Sequence, residues 1–173
     1  MEIKFIEINE NDFEDFELIA HWDNQSDIKY LIRPNFTKGE MDDIKVESII
    51  NGFKLNSNKK IYIISCDDKK IGYISIDTDF FGLYKKEKNS VWIGICIGES
   101  EYRGRGIAKK AMEYIEEISK KLNQDRIELG VFGYNEKAIE LYKTMGYKKI
   151  GEHKKIVYYN GTWHSDIRME KYI

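Results

Sequence analysis

An apolar run that ends in a glycine-rich turn is the feature that most restricts how this chain can fold. Residues Ser90–Gly98 are almost continuously apolar, as in a central strand that is buried on both faces. The turn Arg103–Gly106 then contains two glycines, and a helix is predicted from there to about Leu122. This order of strand, turn and helix predicts a domain that combines helices with a central sheet.

The rest of the chain supplies further elements of both types. Asn9 and Asn11 are suitable N-caps for a first helix, Gly146 suits the end of a later one, and Asn160–Gly161 is typical of a hairpin turn. Apolar periodicity predicts strands at 2–8, 60–66, 70–77, 127–132, 147–159 and 163–171, and helices ending near residue 22, over 40–53 and over 135–145. We therefore predict a mixed α/β fold in a single domain, residues 1–173.

The composition excludes several classes of protein. The 173 residues are 42% apolar and 34% charged, which is typical of a folded domain rather than a disordered chain. Cys66 and Cys96 lie in predicted strands, so we interpret them as buried thiols. We expect no signal peptide, because residues 1–12 contain no long apolar stretch after a basic region, and no window approaches ~18 apolar residues. The histidines His21, His153 and His164 lie too far apart to suggest a metal site. We expect a cytoplasmic protein that binds neither metal nor membrane.

The glycine-rich turn suggests an anion site. A helix N-terminus presents free backbone N–H groups, glycine lets the backbone approach a phosphate closely, and Arg103 and Arg105 add positive charge. The turn is not the dinucleotide fingerprint, because Lys109 stands where a third glycine is required, and it lacks the Walker A ending. A purely structural connection between strand and helix is the alternative.

Two motifs resemble those of the GNAT superfamily of acetyl-CoA-dependent N-acetyltransferases. Arg103, Gly106 and Ala108 match its acyl-CoA signature, R/Q-x-x-G-x-G/A. About thirty residues later, Asn135–Tyr147 is similar to its second hallmark, N-x-x-A-x-x-x-Y-x-x-x-G-F/Y. The tail, residues 151–169, more loosely resembles the final hairpin of the spermidine and ribosomal-protein N-terminal acetyltransferases.

The resemblance implies a mostly antiparallel mixed sheet with splayed central strands, flanked by about four helices. It implies that acetyl-CoA binds at the splay, with its pantetheine arm along one strand end and its pyrophosphate in the turn. It also implies that Tyr142 protonates the departing thiolate. The acetyl-CoA-binding residues implied in this way are Cys96, Ile97, Gly98, Arg103, Gly104, Arg105, Gly106, Ile107, Ala108 and Asn135.

The general acid and the general base of such a reaction can each be assigned in more than one way. Spacing alone allows Tyr142 to be a packing aromatic on the buried face of a helix. Many GNAT relatives carry a carboxylate in the strand before the turn, but Val91–Ile93 contains none. Glu99 is a candidate base or a solvated turn acid, and a water chain or an acid from residues 77–79 would also serve.

Charge is unevenly distributed along the chain and bears on the acceptor. Residues 1–50 contain 13 acidic and 5 basic residues, whereas the whole chain has a net charge of −2. Because this part walls the acceptor site in the superfamily, we expect a cationic acceptor: a polyamine, an aminoglycoside or a peptide N-terminus. The alternative is that the acids favour helix starts and solvated faces.

We therefore expect an enzyme, monomeric or homodimeric, that transfers an acetyl group from acetyl-CoA directly to a primary amine. The absent strand carboxylate leaves a second function open, a catalytically silent GNAT-fold module that binds acyl-CoA as a sensor. The basic residues are spread along the second half of the chain rather than forming a stripe with stacking aromatics. This distribution argues against a nucleic-acid partner.

Overall fold

A seven-stranded sheet forms the centre of the structure, a computed structural model that describes residues 1–173. The strands are β1 (Ile3–Glu7), β2 (Lys59–Cys66), β3 (Lys69–Asp77), β4 (Ser90–Ile97), β5 (Arg126–Phe132), β6 (Lys148–Tyr159) and β7 (Thr162–Tyr172). Their order in the sheet is β1-β2-β3-β4-β5-β7-β6, and every neighbouring pair is antiparallel except β4 and β5. The predicted mixed, mostly antiparallel sheet is confirmed.

The two central strands separate after a short parallel pairing. β4 and β5 pair only through residues 90–92 and 126–128, although β4 continues to Ile97 and β5 to Phe132. Beyond the pairing, neither strand can supply the hydrogen bonds that the facing edge of the other requires. The splay predicted from the resemblance is confirmed, and it leaves an opening at the centre of the sheet.

Five helices pack on the sheet, one more than expected. They are α1 (Phe13–Asp23), α2 (Lys29–Ile32), α3 (Val46–Leu55), α4 (Ile107–Lys121) and α5 (Glu136–Thr144). The additional helix α2 is a single turn, which is too short to produce an apolar period. No helix combines the length and the hydropathy needed to cross a bilayer.

The helix predicted over residues 40–53 begins later than expected, at Val46. The Asn24 side chain accepts a hydrogen bond from the Ile44 N–H at 2.8 Å and donates one to the Ile44 carbonyl at 2.9 Å. These two bonds engage the backbone groups that a helix would use at this position. They therefore hold the residues before Val46 out of the helix.

Each face of the sheet has its own hydrophobic core. On one face, α4 and α5 cover an apolar layer that includes Ile74, Ile93, Leu129, Met112 and Tyr142. On the other face, α1 and α3 cover a smaller layer that includes Phe16, Ile19, Trp22 and Ile63. Because side chains alternate between the faces of a strand, the residues of β4 and β5 that do not point to α4 face the uncovered part of this second side.

A buried ion network fastens the connection between β3 and β4 onto that second face. Arg126 is fully buried and donates hydrogen bonds to Glu128 at 2.5 Å and to Glu170 at 2.8 Å. Glu128 in turn accepts a hydrogen bond from the Tyr84 N–H at 2.5 Å. Such a network is costly to break, because removal of one partner leaves an unpaired buried charge. It holds the segment 78–89 against β5 through the Tyr84 and Lys85 backbone.

Candidate active site

A cavity of ≈ 830 Å³ opens where β4 and β5 separate. The glycine-rich turn and α5 line one half, and residues of β3 to β7 together with the segment 28–36 line the other. The predicted acetyl-CoA-binding residues in its lining are Cys96, Ile97, Arg103, Gly104, Gly106, Ile107, Ala108 and Asn135, and Tyr142 lines it as well. Gly98 and Arg105 lie outside the lining.

The turn before α4 presents a row of unpaired backbone donors. Gly104 and Gly106 have φ of +73° and +77°, a left-handed conformation that favours glycine. A Cβ atom on either residue would meet no other atom within 4 Å. No backbone carbonyl accepts a hydrogen bond from the N–H groups of residues 104–109, and the first helical bond runs from the Lys110 N–H to the Gly106 carbonyl at 3.3 Å. Open space and free donors together fit an anion such as a diphosphate.

The two arginines of the turn have different surroundings. The Arg103 guanidinium donates to the carbonyls of Ile97 and of the residue after it, at 2.9 and 2.8 Å, and pairs with Asp27 at 2.5 Å. It therefore fastens the turn to the end of β4, and Asp27 offsets its charge. Arg105 is exposed and lies 5.4 Å from the ring of Tyr102, without an ion pair. Of the two cations, Arg105 is the one free to approach a bound anion.

The end of β4 packs against the end of α1. A Cβ atom on Gly98 would lie 2.2 Å from the Trp22 indole, so that only glycine allows this contact. Cys96 is buried, and burial raises the pKa of its thiol. A thiol that stays protonated is a packing group rather than a nucleophile. The backbone of this strand end, and not its side chains, is what the cavity can use.

Helix α5 brings Asn135 and Tyr142 to the cavity. Asn135 caps the helix, since its side-chain oxygen accepts a hydrogen bond from the Ala138 N–H at 3.3 Å, which leaves its amide nitrogen free to donate. Tyr142 is 7% exposed, and its hydroxyl has no hydrogen-bond partner in the protein. Burial raises the pKa of Tyr142 to about 12, so the phenol remains a proton donor at neutral pH.

The other half of the cavity is aromatic and charged, and sequence analysis did not identify it. The ring of Trp92 stacks on Phe80 at 4.7 Å, and the Arg168 guanidinium lies 4.7 Å from the ring centre. Arg168 donates a hydrogen bond to Asp166 at 3.0 Å. His153 on β6 lies opposite Asp166 on β7 in the register of the two strands. Burial raises the pKa of Asp166, and it does so against the opposing effect of Arg168. Asp166 is the only acidic residue in the lining.

Comparison with known families identifies the domain. The sequence model described as the Acetyltransferase (GNAT) family matches residues 19–147, which include both the turn before α4 and all of α5. The chain belongs to the GNAT family. The resemblance carried by the two sequence motifs is thereby confirmed.

Relatives of this GNAT domain include enzymes that acetylate different amines. It is 34% identical over 103 residues to the L-amino acid N-acetyltransferase AaaT of Escherichia coli, a match that spans 58% of this chain and 61% of that protein. It is 27% identical over 118 residues to the spermidine N(1)-acetyltransferase of the same organism, spanning 66% of this chain and 59% of that protein. The matched parts thus cover less than two thirds of either relative.

Solved structures share the fold over the whole chain. A spermidine N-acetyltransferase chimera that includes the Vibrio cholerae protein superposes with a TM-score of 0.76 at 16% identity, over 99% of this chain and 96% of that one. The ribosomal-protein-alanine N-acetyltransferase of Brucella melitensis superposes with a TM-score of 0.73 at 16% identity, over 100% of both chains. At such low identity the likeness establishes the GNAT fold alone.

No acidic residue from the first third of this GNAT domain lines the cavity. The residues of the first third that do so are all apolar: Ile28, Leu31, Ile32, Pro34 and Phe36. Several of its acids instead form ion pairs with basic side chains, namely Asp15 with Lys70, Asp27 with Arg103 and Asp43 with Lys29. The net charge of residues 1–50 is therefore no guide to the charge of the acceptor site.

Two of the acids considered as a general base, Glu99 and Asp77, bind other groups of the fold, whereas Asp79 is exposed outside the cavity lining. Glu99 accepts a hydrogen bond from the Trp22 indole at 3.0 Å and lies 3.5 Å from Lys69. Asp77 accepts hydrogen bonds from the Asn56 side chain at 2.7 Å and from the N–H of residue 79 at 3.0 Å. Neither carboxylate lines the cavity.

Proposed function

We propose that this GNAT domain transfers an acetyl group from acetyl-CoA to a primary amine by direct attack of the amine on the thioester. One observation carries the proposal: a row of free backbone donors and a protonated, unpartnered tyrosine line the same cavity at the splay. The first feature suits a diphosphate, and the second suits a leaving thiolate. The amine-acetylating relatives support the same reaction class.

The backbone of residues 104–109 would hold the pyrophosphate, and the free amide of Asn135 would donate a hydrogen bond to the pantetheine arm. The end of β4, from Cys96 to Gly98, would run beside that arm, because its edge is unpaired beyond Trp92. Backbone N–H groups there would stabilise the oxyanion of the tetrahedral intermediate. Acetyl-CoA supplies the acetyl group and the leaving thiolate.

Tyr142 would act as the general acid. Its pKa of about 12 exceeds that of a thiol in water, so proton transfer would be uphill if the thiolate were solvated. In the same apolar cavity, burial makes a thiolate more basic as well, an effect already visible in the raised pKa of the Cys96 thiol. Proton transfer from Tyr142 to sulfur therefore becomes favourable only as the C–S bond breaks.

The acceptor would be a cation, bound through Asp166 rather than through the acidic first third. Asp166 is the one carboxylate in the cavity lining, and Trp92 beside it offers an aromatic face to a second charge or an alkyl chain. Polyamines and L-amino acids both carry an ammonium group, and both are named acceptors of relatives of this chain. A polyamine would place one ammonium beside Asp166, whose carboxylate also pairs with Arg168 at 3.0 Å, and its alkyl chain along the apolar part of the lining.

The proposal is tested by measuring thiol release from acetyl-CoA with a panel of polyamines, L-amino acids, aminoglycosides and a basic peptide. We expect release that depends on the amine, with the acetylated amine identified by mass. The competing function, a silent acyl-CoA sensor, predicts tight calorimetric binding of acetyl-CoA with no release above background for any amine.

A further inference from the structure

A buried carboxylate near the cavity takes no part in the chemistry proposed so far. Asp23, the last residue of α1, is 6% exposed. Asp15, a buried acid on the same helix, is neutralised by Lys70 at 2.5 Å, but Asp23 has no such ion pair. The Arg33 guanidinium gives its hydrogen bonds to a backbone carbonyl and an asparagine side chain instead. A buried acid without a cation is costly to the fold, which suggests a functional reason for it.

Tyr73 connects this carboxylate to the cavity. Its hydroxyl donates a hydrogen bond to Asp23 at 2.8 Å, and the residue lines the cavity. Trp22 holds the ring from one side, with ring centres 6.5 Å apart. In the sheet, Tyr73 pairs with Cys96, near the end of β4 where the thioester is proposed to bind. Tyr73 thus joins Asp23 to the wall of the cavity.

The groups around Asp23 leave it ionised but basic. Burial raises its pKa from 3.8 to about 6, against the lowering effects of the Tyr73 hydrogen bond and of Arg33 and Lys59. The Cys96 thiol faces it from β4 and stays protonated, because burial raises its pKa too. Burial likewise holds the pKa of Tyr73 well above its ordinary value, so its hydroxyl is neutral. A neutral hydroxyl can accept one proton while it gives up another.

We propose that Tyr73 and Asp23 together form the general base of acetyl transfer, an inference that rests on the proposed function. Tyr73 contacts the acceptor nitrogen and is a catalytic residue. Asp23 acts through it as a positioning residue that receives the proton. This pair supplies the role for which the strand residues Val91–Ile93 and the turn acid Glu99 offer no group.

The bound ammonium gives one proton to the Tyr73 oxygen while Tyr73 gives its own to Asp23, which leaves a neutral amine. The amine nitrogen attacks the carbonyl carbon, and the C–N bond forms. When the C–S bond breaks, Tyr142 protonates the sulfur and is itself restored by the second proton of the nitrogen. Asp23 returns its proton to solvent after the products leave.

The test compares Asp23→Asn and Tyr73→Phe, which keep the shape of each side chain, with Asp15→Asn as a matched control on the same helix. The measured quantities are the single-turnover rate and the pH dependence of kcat/KM with one polyamine. Wild type is expected to show an acid limb near pH 6, since kcat/KM reports groups of the free enzyme. Each of the two variants is expected to lose ~10²–10⁴-fold in rate, and the double variant no more than either alone.

In Asp23→Asn and Tyr73→Phe, the acid limb of the kcat/KM profile is expected to move to the higher pKa of the amine itself. Asp15→Asn is expected to keep the wild-type profile. Calorimetric binding of acetyl-CoA should be unchanged in all of them, which shows that the variants are folded. An Asp23→Asn protein with the wild-type rate and the wild-type limb would overturn the inference and leave the proposed function standing. Absence of amine acetylation in the wild type would instead overturn the proposed function.

Discussion

At the scale of single residues, the hydrogen-bond partner of the hydroxyl distinguishes Tyr142 from its neighbour Tyr147. Tyr142 and Tyr147 are both buried neighbours, with ring centres 6.0 Å apart. Tyr147 lies outside the cavity lining, and its hydroxyl donates to Glu116 at 3.4 Å. Tyr142 faces the cavity with a hydroxyl that has no partner. A hydroxyl left unpaired at a cavity is available to a ligand, because buried polar groups otherwise find partners.

Removal of the Tyr142 hydroxyl should therefore slow acetyl transfer without weakening acetyl-CoA binding. For Tyr142→Phe we expect a fall of ~10²–10⁴-fold in single-turnover rate, the usual value of general acid catalysis. The ring still fills its space, so the calorimetric Kd for acetyl-CoA should not change. Tyr147→Phe is the matched control and should retain the wild-type rate. Equal rates for Tyr142→Phe and wild type would remove Tyr142 from the mechanism.

The buried charge of Asp23 predicts a gain in stability when it is removed. A carboxyl whose pKa rises from 3.8 to about 6 on folding binds its proton more tightly when folded, so stability falls as pH rises through that interval. At about 1.4 kcal/mol per pKa unit, the upper limit of this cost is about 3 kcal/mol.

Urea unfolding of Asp23→Asn should therefore show a free energy of unfolding that exceeds the wild-type value at neutral pH. The difference should shrink as pH falls below the interval, because the wild-type carboxyl is then protonated in both states. Asp15→Asn loses the ion pair with Lys70 and should show no such gain. A difference that does not vary with pH would contradict the assignment of a raised pKa to Asp23.

At the scale of elements, the unit of β4, turn and α4 was predictable because its information is local. Apolar continuity indicated the buried strand, and Gly104 and Gly106 indicated the tight turn. The acceptor half of the cavity was not predictable in this way. Trp92 and Asp166 come from strands that are distant in sequence, and only the register of the sheet brings them to one face. Helix α2 was missed because four residues carry no period.

A weak signal for the acceptor half did exist in two glycines inside strands. A Cβ atom on Gly94 would lie 2.8 Å from the Ser75 hydroxyl, and one on Gly130 would lie 2.8 Å from the Trp92 ring. Glycine in a strand interior often marks a close approach of another group. These two glycines indicate a cavity only if β4 and β5 are known to be neighbours in the sheet, and no local sequence pattern indicates that.

The glycine turn gives a prediction at this scale. Gly106→Asp should weaken acetyl-CoA binding severely, because it places a negative charge where backbone meets phosphate. Gly161→Asp is the matched control: its φ is +81° and its Cβ also meets no atom within 4 Å, but it lies in the β6–β7 turn outside the cavity lining. In both variants, a side chain in the left-handed conformation lowers the free energy of unfolding by about 1 kcal/mol. Similar calorimetric Kd values for the two variants would show that the phosphate site lies elsewhere.

At the scale of the whole molecule, tertiary contacts determine which charges surround the cavity, and the position of an acid in the sequence does not. Several acids of the first third form ion pairs with basic side chains, as Asp27 does with Arg103. The cavity they were expected to surround contains one acid, Asp166, held beside Arg168. We therefore propose that a cationic acceptor is attracted by this partly buried carboxylate, which salt screens less than exposed charges.

Asp166→Asn should raise the KM for a polyamine several-fold and leave the calorimetric Kd for acetyl-CoA unchanged. The reason is that the variant keeps the shape of the side chain and removes the only negative charge in the lining. Glu152→Gln, on β6 and outside the lining, is the matched control and should not change KM. A KM for the polyamine that is the same in Asp166→Asn as in wild type would exclude Asp166 as the acceptor anchor.

Isotope labelling tests directly whether acetyl passes from acetyl-CoA to an amine at this cavity. The protein is mixed with acetyl-CoA labelled in the acetyl group, with and without a polyamine, and both the protein and the amine are examined by mass spectrometry. Direct transfer predicts labelled N-acetyl amine when the polyamine is present, and no labelled protein under either condition. Label on the protein, or bound acetyl-CoA that never yields labelled amine with any acceptor of the panel, would contradict it.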